Sequence, residues 1–405
     1  MSLHTVGAAK SEIEALLQGQ NLDKVGDINA ALERAARTTI QQAAIPEASG
    51  VQPITLYGGV YYYAAPTTLF GTSVNLVRRQ GNASTPWDFN YKVGVDDFTR
   101  GKGMTPNGYM LDFEYRNGTG ILGVSTPNTY PKLIIDGMNE IGSTPNAWVV
   151  GGSASGLAVD STNYYQQPAS LRFNLTGSST GYIEKTLQNS VDLSTYQGVG
   201  VIFLAIQTAN VTNFTSLAVR IGSDSSNYVT VTATTGFLGA FTVNNWLLVA
   251  LDLSIGTTTG TPDYTAIDYI RATVNHIGTL TNFRMGGLFT SLPVAHEILF
   301  QSSAIFLASG STTPLQTITG DGDTIVLNDA AYNLYIHECA LTVAIQEGGT
   351  LETGYIQTVR AMLYGSGNDM GLYALYRADN PSGQLRQVGA WYDSVDYNGR
   401  NNYYN

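Results

Sequence analysis

Two short stretches, SLRFNL at residues 170–175 and SLAVRIG at residues 216–222, alternate apolar and polar side chains. In the first of them Leu171, Phe173 and Leu175 occupy every second position. Such residues point to one face of a β-strand, so the pattern predicts strands with one buried and one exposed side. Both strands would therefore belong to sheets that pack against an apolar core.

Stretches of this kind recur through the middle of the chain, with turn residues between them. The further predicted strands are residues 181–186, 200–207, 227–232, 246–251, 267–274 and 282–288. Short strands at regular spacing are typical of an antiparallel sandwich or jelly roll. The pattern therefore predicts a β-sandwich over residues 137–306.

The preceding region, residues 1–136, opens with helices. Residues 11–18 and 23–44 carry apolar side chains at steps of three and four, the spacing of an amphipathic helix. The aromatic stretch ITLYGGVYYYAA at residues 54–65 then predicts a hairpin or a bulged strand, since Gly58 and Gly59 interrupt it. Further β segments are predicted at residues 74–79, 110–115 and 132–136.

Helical spacing returns after the sandwich, in residues 307–380. A hairpin is expected around Asp321 and Asp323, which form a tight turn with Gly322. The predicted helices are residues 327–346, 355–364 and 371–379. Residues 381–405 are polar and aromatic without helical spacing, so we expect an extended arm. Ordering it costs about 1–2 kcal/mol of backbone entropy per residue, which contacts with a neighbouring subunit could offset.

Composition and charge narrow the classes of function. The formal net charge is −11 and the sequence pI is about 4.7, which argues against binding nucleic acid through its phosphates. The one cysteine, Cys339, cannot form an internal disulfide, and this fits synthesis in a reducing cytoplasm. Residues 1–20 lack the basic-then-apolar plan of a signal peptide, so we expect none there.

Motifs of enzymatic chemistry are missing from the sequence. The four histidines are dispersed, and neither an HExxH motif nor a cysteine pair offers a zinc ligand set. Paired carboxylates could serve a glycoside hydrolase. The candidate acids are Glu140, Asp160, Glu184, Asp252 and Glu297. Nothing in the sequence separates them from solvated surface acids, so we predict a protein that is not an enzyme and has no cofactor.

The two flanking regions resemble a head-to-tail adaptor (connector) protein of tailed bacteriophages. The resemblance lies in ALERAARTTIQQA (residues 31–43), ITLYGGVYYYAAP (54–66), LNDAAYNLYIHECALTVAIQEGG (327–349) and GLYALYRADNPSGQLRQVGAWY (371–392). It implies a homo-oligomeric ring, a dodecamer in that family, between the portal protein and the tail or nozzle proteins. DNA would pass through the ring without sequence-specific binding. The protein would be made in the host cytoplasm and reside in the neck or tail region of the virion.

In the adaptor resemblance the carboxy-terminal arm docks on the portal. The residues that this implies are Asn380, Pro381, Leu385, Val388, Trp391 and Tyr392.

The middle region resembles the jelly roll of carbohydrate-binding modules. The similar segments are WVVGGSASGLAVDS (residues 148–161), QQPASLRFNL (166–175), VDLSTYQGVGVIFLA (191–205) and NNWLLVALDLS (244–254). The family implies glycan binding, often with a structural Ca²⁺, although sandwiches of this form also serve as spacers and decoration. A cell-surface glycan would then be a partner.

Aromatic and acidic residues supply the candidates for these roles. The candidates for stacking on a sugar are Tyr164, Tyr165, Tyr182 and Tyr228. Trp148 and Trp246 lie within strand patterns and are predicted to be core residues. Candidate ligands of a structural Ca²⁺ are Glu140, Asp160 and Asp252, because Ca²⁺ accepts carboxylates from loops.

The combined prediction is an α+β multidomain protein in which a helical and β adaptor platform is split by an antiparallel β-sandwich insertion. The leading functional hypothesis is a virion structural protein, a ring-forming adaptor with an outward-facing jelly-roll decoration domain. One alternative is a glycan-binding adhesin, fibre or collar protein that acts through the sandwich. A second alternative is a glycoside hydrolase.

Overall fold

The structure is a computed structural model. It describes residues 4–17, 27–43, 45, 48–79, 113–116, 120–124, 132–312, 314–347, 353–367 and 369–379. The predicted arm, with the portal-docking residues Asn380 to Tyr392, lies outside this set.

Helices lie near both ends of the chain. They are α1 (Val6–Leu16), α2 (Ile28–Ala43), α3 (Asp329–Glu347), α4 (Thr353–Tyr364) and α5 (Leu372–Asp379). No helix in the described part of the chain combines the length and the apolar character that crossing a bilayer requires.

The strands are short and fall into three groups along the chain. The first group is β1 (His4–Thr5), β2 (Ser49–Leu56), β3 (Tyr62–Ala64), β4 (Leu69–Arg79), β5 (Phe113–Arg116) and β6 (Ile121–Val124). The middle group is β7 (Lys132–Asp136), β8 (Val149–Gly152), β9 (Ala154–Asp160), β10 (Ser170–Leu175), β11 (Ser179–Val191), β12 (Val201–Gln207), β13 (Phe214–Gly222), β14 (Tyr228–Ala233), β15 (Leu247–Asp252), β16 (Thr257–Thr259), β17 (Ile267–His276) and β18 (Leu280–Ser291). The last group is β19 (Val294–Ser302), β20 (Phe306–Leu307), β21 (Pro314–Leu315), β22 (Thr324–Ile325), β23 (Gly365–Ser366) and β24 (Asp369–Met370).

The middle strands form two six-stranded antiparallel sheets. Sheet one has the order β15–β12–β18–β10–β9, and β7 also pairs with β18. Sheet two has the order β16–β14–β13–β17–β11–β8. The sequence assigns residues 132–136 to the region before the sandwich, whereas β7 is a strand of sheet one.

The inner faces of the two sheets enclose one apolar core. Its members from the two opening stretches are Leu171, Phe173, Leu175, Leu217, Val219 and Ile221, each at most 1% exposed. Trp148 belongs to the same core, as predicted. Every strand predicted from the alternating pattern falls on a strand of these sheets, so the predicted antiparallel β-sandwich is confirmed.

A second apolar core joins sheet one to strands outside the sandwich. We call it the junction cluster, and its buried residues are Leu56, Val60, Tyr63, Ala65, Leu122, Val201, Phe203, Phe289, Ile298 and Phe300. The rings of Phe203 and Phe289 stack with their centroids 5.3 Å apart, and Tyr57 meets Phe203 edge to face at 5.1 Å. The junction cluster therefore covers part of the outer face of sheet one.

The prediction of a hairpin or a bulged strand at residues 54–65 is wrong, because two separate strands cover this stretch. Strand β2 pairs with β19, whereas β3 pairs with β6 in another sheet. Between them Gly59 has a φ of 84°, and a Cβ there would lie 3.1 Å from Phe289. The N–H of Gly58 donates to Ser291 Oγ at 2.7 Å. The two glycines let the backbone press against sheet one, so the flanking strands enter different sheets.

Helices from both ends of the chain share a third core. Val6 and Ile13 of α1, Leu32 and Ile40 of α2, and Tyr335 of α3 are all fully buried in it. The remaining helices contribute Val359, Leu363, Tyr373 and Tyr376. The helices before and after the sandwich therefore pack together in one apolar core.

The predicted helices are confirmed, with shifted ends. Helix α1 starts earlier than expected because Thr5 Oγ1 accepts from the Ala8 N–H at 3.1 Å and caps it. Helix α2 starts at Ile28, after Asp27, whose carboxylate accepts from the Ala30 N–H at 3.0 Å. Residues 18–26, which include the predicted start at residue 23, lie outside the described residues.

The hairpin expected around Asp321 and Asp323 is also wrong, although the tight turn is present. Strands β21 and β22 do not pair with each other, because each pairs with β20 between them. The carboxylate of Asp323 accepts from the N–H groups of Thr319 and Gly320 and closes the turn.

A buried carboxylate lies among the helices. Glu338 of α3 is 5% exposed and accepts hydrogen bonds from the hydroxyls of Tyr364 and Tyr373, both at 3.0 Å. Burial raises the pKa of Glu338, and the two tyrosine hydroxyls and Arg360 oppose this only in part. The fold therefore favours the neutral acid.

We expect the substitution Glu338→Gln to change the pH dependence of stability. Because the pKa of Glu338 is higher in the folded than in the unfolded chain, its stabilising contribution is complete at low pH and is lost as pH rises through the folded value. The melting temperature of the wild type minus that of the variant should therefore fall as pH rises above the unfolded value of about 4.5. The exposed Glu14 on α1 gives the control Glu14→Gln, which should show no such trend. A difference that is constant with pH would contradict the prediction.

Candidate functional site

Trp246 lies on the outer face of sheet one, next to the part that the junction cluster leaves free. It directly precedes β15, is half-buried and belongs to none of the apolar cores, so the prediction of a core position is wrong. A Cβ on Gly286 would lie 3.7 Å from Trp246 Cη2 and 3.5 Å from Ser170 Cβ. The indole therefore lies over a floor of small residues.

A chain of hydrogen bonds fixes the orientation of the indole. Trp246 Nε1 donates to Asn163 Oδ1 at 2.8 Å, and Asn163 Nδ2 donates to Gln207 Oε1 at 2.8 Å. The same Gln207 oxygen accepts from Arg284 Nη1 at 3.1 Å, and Arg284 Nε donates to Asp160 Oδ2 at 2.8 Å. We call this set, with Tyr165, the Trp246 platform.

Asp160 anchors the far end of that chain. It is 7% exposed, and its Oδ1 accepts from the Thr162 hydroxyl at 2.8 Å and from the N–H groups of Thr162 and Asn163, each at 3.0 Å. Burial alone would raise the pKa of Asp160, but the hydrogen bonds from Arg284, Thr162 and Asn163 outweigh it and hold the pKa well below its usual range. Asp160 is therefore a carboxylate at neutral pH.

Tyr165 extends the aromatic surface. Its ring centroid lies 6.1 Å from that of Trp246, with the planes tilted by 51°. Burial raises the pKa of the Tyr165 hydroxyl, and the neighbouring Tyr61 and Tyr62 raise it further. Tyr61 and Tyr62 come from the segment that also carries the junction cluster, so residues before the sandwich border the platform.

The platform combines a fixed aromatic ring with charged and amide groups beside it. Such an arrangement suits a ligand with one apolar face and several hydroxyls, because the ring covers the apolar face while polar groups bind the hydroxyls. Its side chains already hold one another in place, so binding would order few additional rotamers.

The four predicted stacking tyrosines do not form one surface. Tyr165 joins Trp246, and the adjacent Tyr164 is half-buried. Tyr182 and Tyr228 lie on sheet two instead. The guanidinium of Arg271 lies 3.6 Å from the ring centroid of Tyr182 and covers that ring.

Tyr228 is in a similar position to Tyr182. The guanidinium of Arg220 lies 4.7 Å from its ring centroid. Both tyrosines of sheet two therefore already have cationic partners from the protein itself.

The three candidate Ca²⁺ ligands are not brought together. Asp160 is paired with Arg284 at the β9 edge of sheet one, whereas Asp252 ends β15 at the opposite edge and accepts from the Ser254 N–H at 2.8 Å. Glu140 is exposed. Across the described residues no group of three or more His, Cys, Asp or Glu side chains is placed to hold a metal. These three acids therefore do not fit a shared Ca²⁺ site.

The acids considered for a glycoside hydrolase are also dispersed. Glu184 of sheet two accepts from Arg271 Nε at 2.9 Å and from the Tyr269 hydroxyl at 2.7 Å. It lies on the other sheet from Asp160 and Asp252. The side chain of Glu297 lies outside the described set. The absence of catalytic activity stays a prediction.

Sequence reasoning missed most of the platform. Asn163, Gln207 and Arg284 are polar residues of ordinary spacing, and they meet only through pairing of distant strands. One signal was available for Trp246, since it follows the polar pair Asn244 and Asn245 directly. A tryptophan that directly follows a turn is less often buried in a core than one inside a strand.

Comparisons with known proteins give similarity in structure only. No model of a protein family matches the sequence, and no curated protein matches it. Among solved structures, a family 30 carbohydrate-binding module is 14% identical, with a TM-score of 0.32, and the match covers 40% of this chain and 88% of that one.

Two further matches are weaker still. A family 11 carbohydrate-binding module from Clostridium thermocellum, in complex with a β-1,3-1,4-mixed-linked tetrasaccharide, is 14% identical with a TM-score of 0.29, covering 40% of this chain and 95% of that one. The glycoside hydrolase domain of Endo-D from Streptococcus pneumoniae R6 is 16% identical with a TM-score of 0.23, covering 36% of this chain and 21% of that one. Likenesses at this level say nothing about what this chain binds, and the resemblance to a phage adaptor stays a prediction.

We expect Asp160→Asn to destabilise the sandwich at neutral pH by about 3 kcal/mol or more, because it leaves the charge of Arg284 without its partner. The pKa of Asp160 is lowered in the folded state, so its contribution is complete above the unfolded value of about 4 and is lost progressively as pH falls from there towards the much lower folded value. Denaturant unfolding should therefore show a large loss in the free energy of unfolding at pH 7 and a clearly smaller loss at pH 2. The matched control is Glu140→Gln, which should leave the free energy of unfolding unchanged at both pH values. Equal losses for Asp160→Asn at both pH values would count against this ion pair.

Proposed function

We propose that this protein is a non-catalytic glycan-binding protein that acts through the Trp246 platform. The observation that carries the proposal is the half-buried indole of Trp246, fixed by the hydrogen-bond chain from Asn163 to Asp160. A fixed, partly exposed aromatic ring flanked by polar groups has the features of a sugar-stacking surface. The helices α1 to α5 share the third core, and we call them the helical unit. This unit would then join the sandwich to a larger structure, as in an adhesin, fibre or collar protein.

Preorganisation is the main physical support for this proposal. Gln207 is 5% exposed and is held at both ends, since its Nε2 also donates to the Asn244 carbonyl oxygen at 2.8 Å. Arg284 donates to Asp160, to Gln207 and to the Asn282 carbonyl oxygen at 3.3 Å. A guanidinium carries five N–H groups, so two of its donors have no acceptor among the described residues. Hydroxyls of a bound sugar could reach these donors without any rearrangement of the side chains.

We expect Trp246→Ala to weaken binding to any glycan that the wild type binds by about tenfold or more, because aromatic residues at the centre of a site carry much of its binding energy. A glycan array with the full chain would identify ligands, and titration calorimetry would measure the loss. Tyr228→Ala, on the other sheet, is the control and should leave affinity unchanged. If the wild type binds no glycan, or if Trp246→Ala binds as tightly as the wild type, the proposal is wrong.

A second candidate is the ring-forming adaptor of a virion, with the portal and tail proteins as partners. The observation that favours it is a set of large apolar side chains exposed on the helical unit. Ile345 of α3 is 55% exposed, Leu375 of α5 is 45% exposed, and Met370 before α5 is 60% exposed. Contacts with neighbouring copies would remove these side chains from water. The two candidates are compatible, because a ring component can carry a glycan-binding sandwich.

We expect electron microscopy of the purified protein, or of a particle that carries it, to show rings if this candidate is correct. The double substitution Ile345→Glu and Leu375→Glu should then convert rings to monomers, because it places charges in the contacts between copies. Light scattering would measure the change in mass, and circular dichroism should show that the helix content is unchanged. Ile255→Glu, at a still more exposed position on the sandwich (74%), should leave rings intact. A wild type that is monomeric at all concentrations and has no place in a virion would rule the adaptor out.

A further inference from the structure

Most cations of the sandwich region are already neutralised. Residues 137–304 contain five Lys and Arg residues against nine Asp and Glu residues. The ion pairs are Lys185–Asp136 at 2.8 Å, Arg271–Glu184 at 2.9 Å and Arg284–Asp160 at 2.8 Å. Arg172 and Arg220 form no ion pair with any described residue. In a region with an excess of acids, a cation that stays unpaired is available to a ligand.

Arg172 lies next to the Trp246 platform. Its Cα pairs with that of Arg284 on β18 and with that of Ala158 on β9, so it shares the outer face of sheet one with Arg284. Ser170, which forms part of the floor under Trp246, is two residues away on the same strand. Two residues along a strand span about 7 Å, so an arginine side chain at position 172 can reach a group bound over the indole.

The charges around Arg172 leave its guanidinium uncompensated. Arg284 directly opposite is neutralised by Asp160, whose carboxylate is occupied by Arg284, Thr162 and Asn163. The other strand neighbours of Arg172 on this face, Ala158 and Asn174, are uncharged. Among the described residues, the platform therefore has one excess positive charge at its β9 side.

We propose that the ligand of the Trp246 platform is an acidic glycan, whose carboxylate or sulfate group is bound by Arg172 while a sugar ring stacks on Trp246. This inference rests on the function proposed above and narrows its ligand class. A guanidinium matches the planar, bidentate geometry of a carboxylate and also binds sulfate oxygens. A neutral glycan would leave this charge unused.

Arg220 provides a matched comparison. It is also unpaired among the described residues, but its guanidinium lies over the ring of Tyr228 on sheet two, away from the platform. The substitutions Arg172→Gln and Arg220→Gln remove the same charge from the same domain. If the position of the charge determines binding, and not the net charge of the domain, only Arg172→Gln should weaken binding of the ligand.

The test begins with a glycan array that contains acidic and neutral glycans, applied to the full-length protein. Two matched pairs then separate the acidic groups: polygalacturonate against its methyl ester for carboxylates, and dextran sulfate against dextran for sulfates. We expect the array to select acidic glycans and the wild type to bind the acidic member of at least one pair about tenfold more tightly. Arg172→Gln should abolish that preference, Arg172→Lys should restore part of it, and Arg220→Gln should leave it intact. Binding should also weaken as salt rises.

The outcomes distinguish this inference from the proposed function. If the array selects only neutral glycans, and Trp246→Ala abolishes their binding, the platform binds glycans but the acidic class is wrong. If Arg172→Gln keeps the preference for acidic glycans, Arg172 is not the anion-binding residue and the inference fails. If the wild type binds no glycan at all, both fail. Circular dichroism of Arg172→Gln would confirm that the sandwich is folded.

Discussion

The burial of both faces of strand β12 is the constraint on which the arrangement of this protein depends. Every residue of Val201–Gln207 is buried. Ile202 and Leu204 face the core between the two sheets, while Val201 and Phe203 face the junction cluster. A sandwich sheet normally has one face in water. Here the segment around Gly58 and Gly59 covers the outer face, and this attaches the sandwich to strands on either side of it in sequence.

This covering divides the outer face of sheet one into two parts. The aromatic residues of the junction cluster occupy one part and make it inaccessible. The other part has polar side chains, and Trp246 lies at the border between them. Its position there agrees with its half-buried state, and the ring lies over Gly286 and Ser170. The candidate ligand surface therefore depends on the same packing that joins the regions of the chain.

Electrostatics gives the open part its chemical character. Asp160 is a deeply placed carboxylate whose role is to hold Arg284, and Arg284 in turn fixes Gln207 and Asn163. A buried ion pair of this kind adds little net stability over an apolar pair, but it keeps its members in one geometry. In this protein that geometry orients an indole ring. Arg172 differs from Arg284 because no described carboxylate neutralises it, and this difference sets the ligand class that we infer.

The sequence by itself determined the sandwich and the helices. The alternation at Leu171, Phe173 and Leu175 and the helical spacing around Leu32 are local patterns, and the faces they define must be buried wherever the elements lie. The sequence shows that Gly58 and Gly59 interrupt a β segment. It does not show whether the flanking strands pair with each other or enter different sheets, because both arrangements begin with the same local signal. Only the tertiary structure decided that Trp246 is a surface residue, that Tyr182 and Tyr228 are covered by arginines, and that Asp160 belongs to an ion pair. Each of these depends on strand pairings between residues that are distant in sequence, for example Gln207 with Arg284. The register of such pairs follows from the packing of the whole sheet, which no single stretch of sequence contains.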